Sequence, residues 1–313
     1  MTDLVSLGET MALLTAPRVG RLRDMSFLEL SIAGAESNVC IAVARLGRSA
    51  AWLGRLGADE FGELVLARLR AEKVDVDAAT LDPVAPTGLM VKERRRANTA
   101  QVRYYRRGSA ASQLLPEHID LDRIGAARIL HITGITPALG AGPHAAVDRA
   151  VEHARAAGVL VSFDLNYRRA LWSREEAAAA LAVLAAKADV VFAGEDELAL
   201  LGAGDPIERG RQLVDNGARA VVVKRGAAGA SSVTAAGVFD APAVGVQALD
   251  PVGAGDAFVG GYLVACLEDA AEEERLALGC AVGAFAVSGV GDWEALPSRA
   301  DLRLLGADGA TER

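Results

Sequence analysis

Short apolar runs alternate with longer helical patterns through most of this chain, and that alternation limits the fold more than any other feature. Ile129-His131, a helical pattern over Pro143-Ala157, Val159-Phe163, a second helical pattern over Arg174-Lys187, and Val190-Phe192 follow one another in order. This is the strand–helix–strand signature of a mainly parallel sheet. Pro143 after Gly142 and Gly158 after Ala157 fit the preference for proline at a helix start and glycine past its end. Ala177 to Ala186 is apolar but bracketed by Arg174, Glu175, Glu176, Lys187 and Asp189, as in an Ala-rich amphipathic helix. Another strand, Ala220-Val223, leads to Lys224-Arg225-Gly226 and a hairpin through Val238-Phe239, and helices fill most of Asp256-Ser288. No repeat, linker or boundary divides the 313 residues. The reading is one α/β domain over residues 1–313, long enough to bury a substantial core.

Two stretches, residues 10–32 and 87–107, break the rhythm with strand-like patterns and turns. Together they predict a small β-sheet over one edge of the core, a lid formed from discontinuous segments, since long excursions in compact domains are usually functional. The plainer alternative is that these strands extend the main sheet.

Composition matters here for what it excludes. With 51% hydrophobic and 24% charged residues the chain is globular, and a net charge of −8 argues against coating nucleic acid or anionic lipid. An anionic small ligand is still allowed, because a local cluster of arginines can reverse the field in one cleft. Cys40, Cys266 and Cys280 are far apart in apolar or Ala/Gly-rich runs, the N-terminus is acidic, and no apolar run is long enough to span a bilayer. These features predict reduced thiols, no membrane segment and a cytoplasmic location. His118, His131, His144 and His153 have no metal-ligand spacing, and no lysine follows a glycine, which excludes a GxxxxGK[ST] phosphate loop.

The stretch that most directly suggests chemistry is Asp250-Pro251-Val252-Gly253-Ala254-Gly255-Asp256-Ala257-Phe258. Two glycines around Ala254 let backbone N–H groups converge, and a helical pattern from Asp256 to about Leu267 follows. Such a turn is an anion hole suited to a transferring phosphoryl group. Asp256 reads either as a helix cap or as the base that takes the proton of a substrate hydroxyl. Elsewhere, Tyr104 and Arg106 fall on one face of a strand, and Arg168 lies just past the Val159-Phe163 strand, where open α/β sheets bind ligands. Two arginines from separate segments suit a carboxylate. On the residues alone, Arg103, Arg106 and Arg107 read in the first place as a solvated basic strand edge that discourages pairing.

Laid together, these motifs resemble the ribokinase-like (PfkB) carbohydrate kinases over nearly the whole chain. Gly34-Ala35-Glu36-Ser37-Asn38-Val39 with Ala42-Val43-Ala44-Arg45-Leu46-Gly47, continued by Gly54-Arg55-Leu56-Gly57-Ala58-Asp59-Glu60-Phe61-Gly62, is similar to the family's first signature, and Asp250-Phe258 to the second. Arg103 to Ser112 and Phe163-Asp164-Leu165-Asn166-Tyr167-Arg168 resemble the 2-keto-3-deoxygluconate kinases of that family. The resemblance implies a three-layer α/β/α sandwich with a β-sheet lid, and transfer of the ATP γ-phosphate to a hydroxyl of 2-keto-3-deoxygluconate. A kinase of a neutral sugar such as fructose or ribose is the alternative.

Carried over residue by residue, the resemblance places Gly34, Asn38, Tyr104, Arg106, Arg168 and Asp292 at the sugar, with Asp292 reading also as a turn residue after a helix. Asp256 becomes the base and Gly253, Ala254 and Gly255 the anion hole. Lys224, Gly226 and Gly229 fall near the nucleotide's ribose and phosphates, and Ala281 and Ala284 on a helix against adenine. Magnesium is implied to arrive with ATP, with Glu197 reaching it through water, and a monovalent cation such as K+ to lie near Asp250. A homo-oligomer paired through the lids is also implied. Three departures stand out: Gly194 where the family has asparagine, Met90 where these kinases often have tyrosine, and Leu165 where proline is common.

Overall fold

A computed structural model of the chain describes residues 2–96 and 99–305, with residues 99 and 100 described by their backbone. Nine strands form the central sheet, in the order Gly237–Ala241, Ala230–Thr234, Ala220–Lys224, Val190–Gly194, Leu160–Asp164, Ile129–Thr133, Leu4–Leu7, Ala50–Leu53 and Val74–Asp75. All neighbours from Ala220–Lys224 to Val74–Asp75 pair in parallel, and only the hairpin at the other end is antiparallel.

Successive residues of the strands enter opposite cores. Leu4, Trp52, Ile129, Val190, Phe192 and Val222 pack on one face with the Ala35–Arg45, Ala254–Leu267 and Glu272–Val287 helices. Val5, Leu53, Leu130, Val161, Phe163 and Val191 pack on the other with the Ala141–Ala156 and Arg174–Lys187 helices. This is the three-layer α/β/α sandwich, and its strands are apolar because both faces are covered. Local chemistry sets the helix ends: Ser173 and Glu176 form a reciprocal capping box, and the Asp59 and Asp205 side chains cap the helices that follow them.

Both irregular stretches enter a separate four-stranded sheet, ordered Glu29–Ala33, Met11–Thr15, Leu89–Arg96 and Thr99–Tyr105. They do not extend the main sheet. Met11–Thr15 runs parallel to Leu89–Lys92, so the two stretches interleave. A third, two-stranded pairing joins Arg55–Gly57 to Thr80–Asp82. Among the described residues no helix is long and apolar enough to cross a membrane, and the three cysteines are free, with Cys40 and Cys280 buried.

Strand order reverses between Leu4–Leu7 and Ile129–Thr133. From the first of these the chain builds outward to Val74–Asp75, then returns to build the other half of the sheet. In open α/β sheets the crevice outside the carboxyl ends at such a switch point is where ligands bind.

Candidate active site

A cavity of about 470 Å³ opens at that switch point. Its floor comes from the segments just past the two strands, Glu9 and Ile135, and from the start of the Ala35–Arg45 helix, Gly34, Glu36 and Asn38. Met90, Lys92, Tyr104 and Arg106 line it from the small sheet and the residue just past it, and Tyr167 and Arg168 from beyond Leu160–Asp164. Gly253, Asp256 and Asp292 complete the wall. Eight residues singled out in the sequence, Gly34, Asn38, Tyr104, Arg106, Arg168, Gly253, Asp256 and Asp292, therefore meet around one space of substrate size.

The helix after the glycines begins two residues before the sequence pattern predicts, at Ala254, with Gly253 as its left-handed N-cap (φ +77°). A Cβ on Gly253 would lie 2.0 Å from the Asp292 carbonyl oxygen, so both backbone conformation and crowding demand glycine. Gly255 and Asp256 lie in the first turn, whose N–H groups have no intrahelical acceptor. Gly34, in extended backbone, is confined by crowding alone, its missing Cβ falling 2.4 Å from the Glu9 carbonyl oxygen.

Asp256 does not act as a cap. One carboxylate oxygen, Oδ2, accepts a hydrogen bond from Asn38 Nδ2 at 2.8 Å. Burial, reinforced by the negative charge of Asp164, pushes the Asp256 pKa up to about 7 against the opposing pull of Asn38, Arg168 and Lys224. A carboxyl poised near neutrality is what proton abstraction at physiological pH requires. Asn38 Oδ1, left without a partner among the described residues, is a buried acceptor beside it.

The basic groups differ in how far they are committed. Arg106 donates to the carboxylate of buried Glu9, and its guanidinium lies 5.3 Å from the Tyr104 ring, so the two share a face as their spacing predicts. Burial raises the Glu9 pKa against the pull of Arg106. Arg168 is exposed at the rim and makes no ion pair among the described residues. Lys224 Nζ donates to both oxygens of Asp164, at 2.6 and 2.7 Å. Burial pulls its pKa down, but the attraction of Asp164, Glu197 and Asp256 outweighs this and raises it, which keeps the ammonium charged.

The residues expected around a nucleotide lie outside this cavity. Gly226 and Gly229 bound the turn past Ala220–Lys224, and Ala281 and Ala284 sit on the Glu272–Val287 helix packed against Ala254–Leu267. Lys224 links the two regions, its Nζ lying 3.8 Å from where a Gly255 Cβ would be. Glu197 is held by backbone donors on both oxygens, Tyr167 N at 2.8 Å and Gly194 N at 2.7 Å. Asp164 is committed to Lys224, and the described residues hold no cluster of three or more metal-ligating side chains. Gly194 is not forced by packing, since an added Cβ would meet Glu197 at an ordinary 3.6 Å. Met90 packs with Met11, Leu13 and Ala33 and presents an apolar wall to the cavity.

Glu9, Glu36, Lys92 and Asp164 are site residues that the sequence does not assign a role. Glu36 accepts from the Thr133 and Thr136 hydroxyls at 2.7 and 2.8 Å, and burial raises its pKa. Lys92 opens the charged run Lys92-Glu93-Arg94-Arg95-Arg96 directly after Leu89-Met90-Val91, so no local pattern marks it as buried.

Comparison with known proteins identifies the family. The pattern of the "pfkB family carbohydrate kinase" family matches residues 1–299. A 2-dehydro-3-deoxygluconokinase of Thermoproteus tenax is 39% identical over 304 residues, covering 95% of this chain and 92% of the relative. One of Bacillus subtilis (strain 168) is 36% identical over 306 residues, covering 96% and 94%. The crystal structure of a PfkB protein from Polaromonas sp. JS666 superposes with a TM-score of 0.88 at 37% identity, covering 97% of this chain and 99% of that one. With the two signature segments meeting at one cavity under the small sheet, this chain belongs to the pfkB family of carbohydrate kinases and is a sugar kinase.

Proposed function

We propose that this kinase phosphorylates a hydroxyl of 2-keto-3-deoxygluconate, or a close sugar acid, at the expense of ATP. The observation that carries the reading is Arg168, without an ion pair among the described residues, at the rim of the cavity that holds Asp256 and that Arg106 also lines. A sugar acid set between them leaves its carboxylate at the guanidinium groups and a hydroxyl toward Asp256. Gly34 lets the sugar approach the backbone closely. Asn38 Oδ1 accepts a sugar hydroxyl, and Tyr104 and Asp292 contact the sugar from the small sheet and the loop before Trp293.

In the transfer itself, Oδ1 of Asp256, which has no hydrogen-bond partner among the described residues, takes the proton of the attacking hydroxyl as the hydroxyl oxygen bonds to the γ-phosphorus. The bond from that phosphorus to the β–γ bridging oxygen breaks, and ADP leaves. Charge on the phosphoryl oxygens is met by the Gly253, Ala254 and Gly255 amides and by the Lys224 ammonium. Magnesium, when bound with ATP, supplies further charge neutralisation on the phosphates. Gly226 and Gly229 serve the ribose and phosphates, Ala281 and Ala284 the adenine, and Glu197 a metal-bound water. The small sheet, as a lid, keeps bulk water from the γ-phosphate.

One observation favours the neutral-sugar alternative: Arg106 already has a carboxylate partner in Glu9. Replacing Arg168 by alanine separates the two readings in a competition between 2-keto-3-deoxygluconate and fructose or ribose. The sugar-acid reading expects kcat/KM for the acid to fall about tenfold to a hundredfold, as for loss of a charged hydrogen bond, with little change for the neutral sugar. Equal losses on both substrates would overturn it. We propose further that copies pair through the small sheet, where Leu30 and Tyr105 are exposed.

A further inference from the structure

Two carboxylates beside the anion hole are nearly inaccessible, Asp250 at 4% exposure and Asp292 at 6%. A buried negative pair needs positive charge close by. The resemblance to ribokinase-like enzymes implies a monovalent cation near Asp250, but the residues present do not fit one. Asp250 Oδ2 already accepts Lys92 Nζ at 2.8 Å and Arg94 Nη2 at 3.0 Å, while Oδ1 faces the Val252 amide at 3.3 Å. The same Lys92 Nζ reaches Asp292 Oδ1 at 3.4 Å.

Lys92 is itself 2% exposed, so its ammonium is a fixed charge within the cluster and not a surface one. Lys92 and Arg94 both face Asp250, and Lys92 also faces Asp292, which has the Glu294 carboxylate nearby; a further cation bound at Asp250 would lie within a few ångströms of a buried ammonium, where repulsion is poorly screened. The lysine also sits where such a charge matters. Asp250 stands three residues before Gly253, and the backbone of Asp292 is what crowds the missing Gly253 Cβ. One ammonium carried by the small sheet thus ties down both segments that set the anion hole.

We infer that the Lys92 ammonium takes the place of a monovalent cation in this chain, so that phosphoryl transfer requires no K+ or Na+ and the small sheet supplies the counter-charge of the Asp250 loop. Lys92 is on this account a positioning residue. The inference rests on the kinase assignment and not on which sugar is phosphorylated.

Its test compares potassium chloride with tetramethylammonium chloride at constant ionic strength. The readouts are thermal unfolding with ATP bound and turnover of 2-keto-3-deoxygluconate, for the wild type and for Lys92→Met. The wild type should give the same unfolding midpoint and the same turnover in both salts. Lys92→Met should lose about tenfold or more in kcat in tetramethylammonium, unfold at a lower temperature there, and recover in potassium, which replaces the missing charge. Lys92→Gln takes its place should the methionine variant not fold. A wild type stabilised or activated by potassium would overturn the inference, and so would a variant with the same deficit in both salts, which is what loss of packing alone produces. Absence of any turnover with 2-keto-3-deoxygluconate would count against the sugar-acid reading, while the unfolding comparison would still decide the role of Lys92.

Discussion

Asp256 concentrates the conflict between stability and activity in this molecule. Its carboxyl titrates near 7 in the folded chain against 3.8 when free. Between those values the folded state holds a proton that the unfolded state has lost, so this residue's contribution to stability declines as pH rises through that window. Activity should move the other way. If Asp256 is the base, kcat/KM rises with pH through about 7 as the carboxylate forms. Replacing it by asparagine should raise the unfolding temperature at pH well above 7, with a smaller effect near the acid end, while ATP binding persists. A pH series of calorimetric scans on the two proteins checks this, and an unchanged or lowered midpoint for Asp256→Asn in mild alkali would show that the buried charge costs nothing. The motif around Asp256 was legible from sequence because its parts are contiguous. Glu9, which neutralises Arg106 from 97 residues away, was not, since an isolated acid after a strand has no local pattern that reveals its partner.

At the scale of elements, the sequence resolved what is written locally. Apolar runs and helical periods locate the strands from Ile129 to Lys224 and the helices between them, and Gly158 marks the end of the Ala141–Ala156 helix. Pairings between distant segments, such as Met11–Thr15 alongside Leu89–Lys92, carry no local signature and emerge only from the fold. The same limit moved the start of the helix after the anion hole from Asp256 to Ala254, because what fixes that start is the approach of Asp292 to Gly253, a contact across 39 residues. Gly253→Ala tests this contact. Forcing an L-residue into φ +77° against a carbonyl should cost about 1–3 kcal/mol of stability, measured by denaturant titration, and should reduce kcat more than it raises KM for the sugar. A variant with wild-type kcat would show that the turn geometry is not used in transfer.

For the whole molecule, the reversal of strand order is what brings the signature segments together, because it opens a crevice where strands from both halves of the sheet end. A chain with net charge −8 can serve anionic ligands there, since Arg168, without an ion pair among the described residues, lines the cavity and a helix N-terminus opens at Gly253. Pairing through the small sheet predicts a dimer or larger assembly by light scattering coupled to size-exclusion chromatography, shifted toward monomer by Tyr105→Glu. A wild-type monomer at all concentrations would contradict it. The most direct test of the account is phosphate transfer from ATP to 2-keto-3-deoxygluconate by the wild type and by Asp256→Asn, with fructose and ribose as competitors. The account predicts that the acid is preferred over both neutral sugars and that the substitution lowers kcat about 10²- to 10⁴-fold. Undiminished turnover by Asp256→Asn, or preference for a neutral sugar, would contradict it.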